Sequence, residues 1–391
     1  MLKKRYLQEK IEKDLNDKMI FIGGPRQVGK TTLARLIGKE KYTKFSYLNW
    51  DNPEDRKKII AGQFESDARL IIFDEIHKYK KWKNYIKGQF DKYKERFSIL
   101  VTGSARLDLY RKGGDSLMGR YYHYRLHPFS LAEIVENKNK IEPFQELVFN
   151  AHPKASQYFS RLLAFGGFPE PFLSNDQEVL RRWQNQRVDR LVKEDIRDIE
   201  SLQDLSVMQV LVDMLPERVG SLLSLNSLRE DLEVAHGTIK LWMNILEKFY
   251  YHFRIYPFSA SAIKSLRKEA KMYLWDWSQV TSAGARLENI VASHLLKLCH
   301  YLHDAKGHKA ELFYLRDIEQ RETDFLVVVG KKPWFAVEVK NTDQKISKSL
   351  SYFGVKLAVP FKYQLVNVEN IDFMQDGIRV MSVDKFLCGL V

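Results

Sequence analysis

Short apolar runs separated by charged, helix-periodic segments dominate the first third of the chain. Residues 19–22 (MIFI), 45–50 (FSYLNW), 70–73 (LIIF), 99–104 (ILVTGS) and 121–126 (YYHYRL) read as strands. The run at 70–73 has no polar position, the mark of a strand covered on both faces. Residues 1–18 predict a charged helix leading into the first strand, and 31–39 a helix that follows it. Strands alternating with helices in this way place the region in the α/β class.

Beyond residue 127 the rhythm turns helical. Ser130, with Glu133 three residues on, predicts a capping box that opens a helix. Polar residues 136–142 predict a loop, and 166–171 (GGFPEP) a rigid turn before the long charged helix 176–199. The arginines of that helix (Arg181, Arg182, Arg187, Arg190) suit nucleic acid, while the interspersed acids suit a solvated face equally well. Residues 205–219 are amphipathic, 226–232 form a short helix, and 238–249 carry Leu241, Ile245, Leu246 and Phe249 at helical spacing before an extended wing at 250–256. That order predicts a winged helix with Thr238, Lys240 and Asn244 on its recognition helix. The helix has few basic residues, so a packing role stays open beside DNA contact.

The last part returns to strands, at 271–276, 312–315, 324–329 and 334–340, with a helix at 285–301 that carries Glu288 in its first turn. Side chains alternate along a strand, so Glu338 and Lys340 share one face and Val337 and Val339 the other. Asp324, fourteen residues before Glu338 on a neighbouring strand, can converge on the charged face. A hairpin with exposed Glu and Lys is the alternative.

A length of 391 residues implies two or three domains, and the patterns divide the chain at 1–135, 136–204, 205–270 and 271–391. Hydrophobic residues at 45% and charged ones at 29% describe a soluble globular chain. No apolar run reaches the length of a membrane span, and no apolar segment follows the basic N-terminus, so a chain outside the membrane and the secretory route is expected. Cys299 and Cys388 lack metal-type spacing and fit a reducing cytoplasm. The net charge of +13 and pI near 9.3 fit a DNA partner, or a merely basic surface.

Composition leaves chemistry open, and two motifs narrow it. Gly24-Pro25-Arg26-Gln27-Val28-Gly29-Lys30-Thr31, extended by Thr32, has the form G-x-x-x-x-G-K-T between a strand and a helix. Such a loop wraps backbone N–H groups around a polyphosphate at a helix N-terminus, with Lys30 on the β- and γ-phosphates and Thr31 on Mg²⁺. The strand 70–73 ends in Asp74-Glu75, a Walker B pair in which Asp74 holds the Mg²⁺ shell and Glu75 takes the proton of the attacking water. An acidic pair at a helix start is the alternative. Ser104, at the end of the next strand, is a candidate γ-phosphate sensor, and otherwise a turn residue. Arg120 is a candidate arginine finger for a neighbouring subunit, which implies a homo-oligomer, and otherwise a solvated surface residue.

The segments GPRQVGKTT, LIIFDEIHK, ILVTGSAR and GR followed by HPFSLAE resemble the bacterial and archaeal AAA-type ATPases that carry a C-terminal domain of unknown function. The resemblance implies a P-loop AAA-type ATPase domain, a winged-helix middle and a C-terminal α/β domain like the PD-(D/E)xK restriction endonucleases. It implies an ATP site at Lys30, Thr31, Asp74 and Glu75, with Ser104 as sensor and Arg120 as finger. In the C-terminal part it implies D…ExK at Asp324, Glu338 and Lys340, with Glu288 as the helix acid. Asp324, Glu338 and Glu288 would then hold Mg²⁺ and Lys340 would position water at a phosphodiester. Thr323 replaces the motif proline, and Ser278 stands where the family has glycine. The expected function is Mg²⁺-dependent ATP hydrolysis coupled to a nuclease-like domain acting on DNA. The alternative is an ATP-driven switch whose C-terminal domain binds a partner without cutting.

Overall fold

The computed structural model describes residues 4–103, 117–137, 139–196, 204–259, 269–342 and 344–391. These form two compact units, Met1–His127 and Pro128–Val391.

In the first unit five strands are all parallel: β1 (Met19–Gly23), β2 (Phe45–Asn49), β3 (Leu70–Asp74), β4 (Ser98–Thr102) and β5 (Tyr121–Arg125). Their order is β2-β3-β4-β1-β5, so β4 separates the loop-bearing strand from the acidic one. Alternation splits the apolar side chains between two faces. Phe21, Ile71, Phe73, Ile99 and Val101 share a core with Ile59, Trp82 and Ile86 of the helices Pro53–Ala61 and Trp82–Tyr93. The helix Lys30–Lys41 buries Leu33, Ala34 and Ile37 and packs on β3 and β4. Among the described residues 4–18 lies one short helix, Gln8–Asp14, and with its two flanking residues it buries Leu7, Ile11 and Leu15 at a spacing of four.

The second unit begins with helices and ends in an eight-stranded mixed sheet. Its strands are β6 (His252–Pro257), β7 (Lys271–Leu274), β8 (Ala310–Arg316), β9 (Glu322–Val329), β10 (Lys332–Lys340), β11 (Phe361–Val366), β12 (Asp372–Gln375) and β13 (Ile378–Ser382), in the order β12-β13-β11-β10-β9-β8-β6-β7. The helices Leu205–Met214, Leu225–Asp231 and His236–Lys248 precede the antiparallel pair β6–β7, and Leu222 bridges to Lys271. The division expected at residue 270 therefore falls inside a hairpin. Because β6 also pairs with β8 (Tyr256↔Phe313, Pro257↔Tyr314), the expected segments 136–204, 205–270 and 271–391 lie in one compact unit.

The capping box expected at Ser130 and Glu133 does not form, because both side chains serve a buried lysine instead. Lys297, on the helix Ala283–Lys306, donates to Glu133 Oε2 (2.7 Å), Ser130 Oγ (2.8 Å) and the Pro128 carbonyl (3.2 Å). Ser130 Oγ in turn donates to the Val391 carbonyl (2.5 Å). One turn before Lys297, His294 accepts from the Leu131 N–H through Nε2 (3.0 Å), which leaves Nδ1 to donate to the Ile290 carbonyl (2.7 Å). Burial, with Lys297 nearby, pushes the His294 imidazole from 6.5 down to about 3.

An imidazole that stays neutral when folded but takes a proton when unfolded stabilises the fold above 6.5 and loses that contribution as pH falls toward 3. At pH 5 the loss is about 2 kcal/mol. Denaturant melts of wild type and His294→Gln should diverge at neutral pH and converge toward pH 5. A parallel pH dependence in the two proteins would remove His294 as its source.

Candidate nucleotide site and a carboxylate cluster

At Gly24 the backbone takes φ +130°, and a Cβ there would lie 2.4 Å from the Leu126 carbonyl oxygen. Only glycine fits, and its absent side chain lets the start of the loop lie against the Leu126 backbone. Gly29 (φ 95°) caps the helix Lys30–Lys41, whose first N–H groups have no partner inside the helix. Lys30 Nζ is held over the loop by the carbonyls of Gly24 (3.0 Å) and Pro25 (2.6 Å). Gln27 (φ 61°), also in the loop, takes a left-handed conformation costly for a side-chain-bearing residue.

Sequence reasoning missed the group that anchors this loop. Arg5, buried beside it, donates to the Val28 carbonyl (2.8 Å) and the His127 carbonyl (2.5 Å). Tyr6 donates to the Arg125 carbonyl (2.8 Å). The only signal was a basic residue near the start of a charged segment, too common to single out.

Asp74 ends β3 in register with Thr102 on β4 and Asn49 on β2. Its carboxylate accepts three hydroxyls: Thr31 (2.9 Å) and Tyr47 (2.6 Å) at Oδ2, and Thr102 (2.6 Å) at Oδ1. Thr31 and Asp74 thus bring two hard oxygen donors together beside the loop, a set suited to a divalent cation that keeps its waters. Glu75 sits at φ 57°, with its N–H on the Thr102 carbonyl (3.0 Å) and Lys78 Nζ 3.7 Å from its carboxylate. Burial pushes the Glu75 carboxyl above its ordinary value, with Lys78 opposing. Ser104 lies outside the described residues. Arg120 precedes β5 at the sheet end opposite the loop and forms a two-toothed pair with Asp91 (2.7 and 3.2 Å).

The second unit gathers a different cluster. Glu288 projects from the helix Ala283–Lys306, Glu322 and Asp324 from β9, and Glu338 from β10. Lys271, at the start of β7, is almost wholly buried and reaches Glu322 (2.7 Å), Glu288 (3.3 Å) and Asp324 (3.6 Å). Tyr273 donates to Glu288 Oε1 (2.6 Å), the Val339 N–H to Asp324 Oδ2 (2.8 Å), Lys340 to Glu338 Oε1 (2.7 Å) and Arg316 to Glu322 Oε2 (2.6 Å). Burial, with the Asp324 charge adding, pushes Glu288 and Glu338 up to about 7, and burial also raises Asp324.

Asp324, Glu338, Lys340 and Glu288 therefore do converge, but not as an open ligand set. No group of three or more His, Cys, Asp or Glu able to hold a metal occurs among the described residues. Among the described carboxylates of this cluster only Glu338 Oε2 is fully buried without a hydrogen-bond partner, and one such oxygen does not make a Mg²⁺ site. The donors do not fit the expected metal, because Lys271 stands among them. Its signal in the sequence was a charged residue opening an apolar strand.

A parallel sheet of this order, with a phosphate loop on one strand and an acidic pair two strands away, defines a P-loop nucleotide-binding unit. Residues 16–135 match the AAA domain family, and this unit is an AAA-type ATPase domain. Residues 156–288 and 283–386 match two domains of unknown function, DUF8612 and DUF4143. Two uncharacterized proteins of Methanocaldococcus jannaschii are similar along most of their length. One is 24% identical over 96% of this chain and 87% of its own, the other 27% over 89% and 83%. An uncharacterized protein of Mycobacterium tuberculosis is 23% identical over 85% of this chain and 72% of its own. Among solved structures, the Thermotoga maritima RuvB Holliday junction branch migration motor aligns at 16% identity over 67% of this chain and 93% of its own, with a TM-score of 0.30, too low to bear on function. No described helix is long and apolar enough to cross a membrane.

Replacing Arg5 by Ala removes two charge-assisted bonds from buried carbonyls, a loss of about 2 kcal/mol. Arg5→Ala should melt earlier and bind ATP about tenfold more weakly, while turnover at saturating ATP changes little. Unchanged affinity by calorimetry would show that the loop keeps its shape without this anchor.

Proposed function

We propose that the chain hydrolyses ATP with Mg²⁺ in its first unit and uses the cycle to switch the state of its second. The observation that carries the first part is the meeting of the loop after β1, which ends in Lys30 and Thr31, with Asp74 and Glu75 at the carboxyl end of β3, where the Thr31 hydroxyl donates to Asp74 (2.9 Å). Lys30 and the loop N–H groups bind the β- and γ-phosphates, and Thr31 and Asp74 hold Mg²⁺, which when bound offsets the phosphate charge. The Glu75 carboxylate takes the proton of the attacking water. Thr102 and Tyr47 orient Asp74.

For the second unit, action on DNA as a nuclease rests on Asp324, Glu338 and Lys340. The switch reading, in which this unit binds a partner without cutting, is favoured by Lys271 lying inside the carboxylate cluster. It is favoured too by the helix His236–Lys248, where Asn244 accepts from Arg254 (2.8 Å) and so is engaged within the unit. A DNA partner remains the reading to test against it. Salt-sensitive DNA binding without cleavage would fit a DNA-directed switch. Metal-dependent cleavage that Asp324→Ala abolishes would restore the nuclease reading.

Lys30→Ala should lose ATP binding, whereas Glu75→Gln should bind ATP and turn it over roughly 10²–10⁴-fold more slowly. Equal steady-state rates for Glu75→Gln and wild type would sink the assignment of the base.

Arg120 acts as a finger only if it can leave Asp91 and enter a neighbour's nucleotide site, which makes the active form a homo-oligomer. Neither Arg120→Ala nor Lys30→Ala should hydrolyse ATP alone, and their mixture should recover part of the activity. Full activity in a protein that sediments as a monomer would reject the finger.

A further inference from the structure

Lys271 carries three N–H donors and has three carboxylates within reach, from Glu322, Glu288 and Asp324. Its side chain is 4% exposed, so its charge is balanced chiefly by these acids. The three acids come from two elements, the helix Ala283–Lys306 and β9, and Lys271 comes from a third, β7. The cluster's fourth acid, Glu338, has its own cation in Lys340, and Glu322 has a second in Arg316. Four carboxylates thus face three fixed cations. A divalent ion held by Asp324 and Glu288 would have to enter beside a buried ammonium that already lies between Asp324, Glu288 and Glu322.

We propose that Lys271 is the resident cation of this cluster, standing where a divalent metal would otherwise bind, and that the second unit is built to work without one. This deepens the switch reading of that unit and is independent of ATP hydrolysis in the first. The cluster becomes a charge-balanced joint between β7, β9 and the long helix. The lysine is then a positioning residue, and its removal uncovers a latent metal site.

The test is Mn²⁺ binding to the nucleotide-free full chain carrying Lys30→Ala, read by electron paramagnetic resonance and by the thermal midpoint. With Lys271 present, the chain should bind no Mn²⁺ that Asp324→Asn removes up to about 1 mM, the weak end of carboxylate sites, and Asp324→Asn should not alter the response of its midpoint to Mn²⁺. Lys271→Met should gain about one equivalent of Mn²⁺ and recover several degrees of midpoint on adding it, both lost with Asp324→Asn. Lys271→Arg should stay metal-free. One equivalent of Mn²⁺ on the chain with native Lys271, removed by Asp324→Asn or Glu338→Gln, would overturn the proposal. So would a folded Lys271→Met that binds no metal. If Lys271→Met does not fold, the measurement with native Lys271 decides alone. ATPase rates of the same variants on an intact Lys30 background keep a failure here separate from a failure of the ATPase reading.

Discussion

The Asp74 carboxylate is the point on which the first unit converges. A carboxylate at the end of a buried strand must find donors or lose its charge, and here it finds three hydroxyls on three different elements: the helix after the loop, β2 and β4. That arrangement requires β3 to lie between β2 and β4 and in register with both, which the apolar run 70–73 before Asp74 permits by packing on two faces. It also fixes the first turn of the helix Lys30–Lys41, and with it the direction in which the loop's N–H groups point. Geometry at the phosphate site is thus set by a side chain whose strand is two places away in the sheet.

Local chemistry explains which features could be read from the chain. The loop and the acidic pair were legible because glycine positions and strand-end acids carry their reasons in a few adjacent residues. The strands of the first unit were legible for a similar reason, since a buried parallel strand is a continuous apolar run. Boundaries drifted where tertiary contacts override periodicity: the helix carrying Glu288 runs over Ala283–Lys306, longer at both ends than expected, because its burial continues past Tyr301 to Leu302 and Ala305. The strands β11, β12 and β13 were not anticipated.

Long-range partners were the unreadable part. Ser130 and Glu133 have the spacing of a capping box, yet a lysine more than 160 residues away takes both. Asp324, Glu338 and Lys340 have the spacing of a metal-dependent nuclease, yet Lys271 changes what that spacing means. In each case the residues of the local pattern lie near one another, around a partner that the pattern does not name. The pattern was silent on that third party, because a buried lysine looks like any other lysine until its surroundings are known.

The double pairing of β6 has a bearing on how this protein could be dissected or recombined. A strand that pairs with β7 in a hairpin on one side and with β8 on the other cannot be assigned to either module. Cutting the chain near residue 270 would strip β6 of β7 and bare a row of backbone amides to any passing strand. The two matched regions of the second unit share residues 283–288, the first turn and a half of one helix, so their border is not a linker. Such a chain would be inherited whole: exchange of either part with another protein would break a sheet and a helix at once.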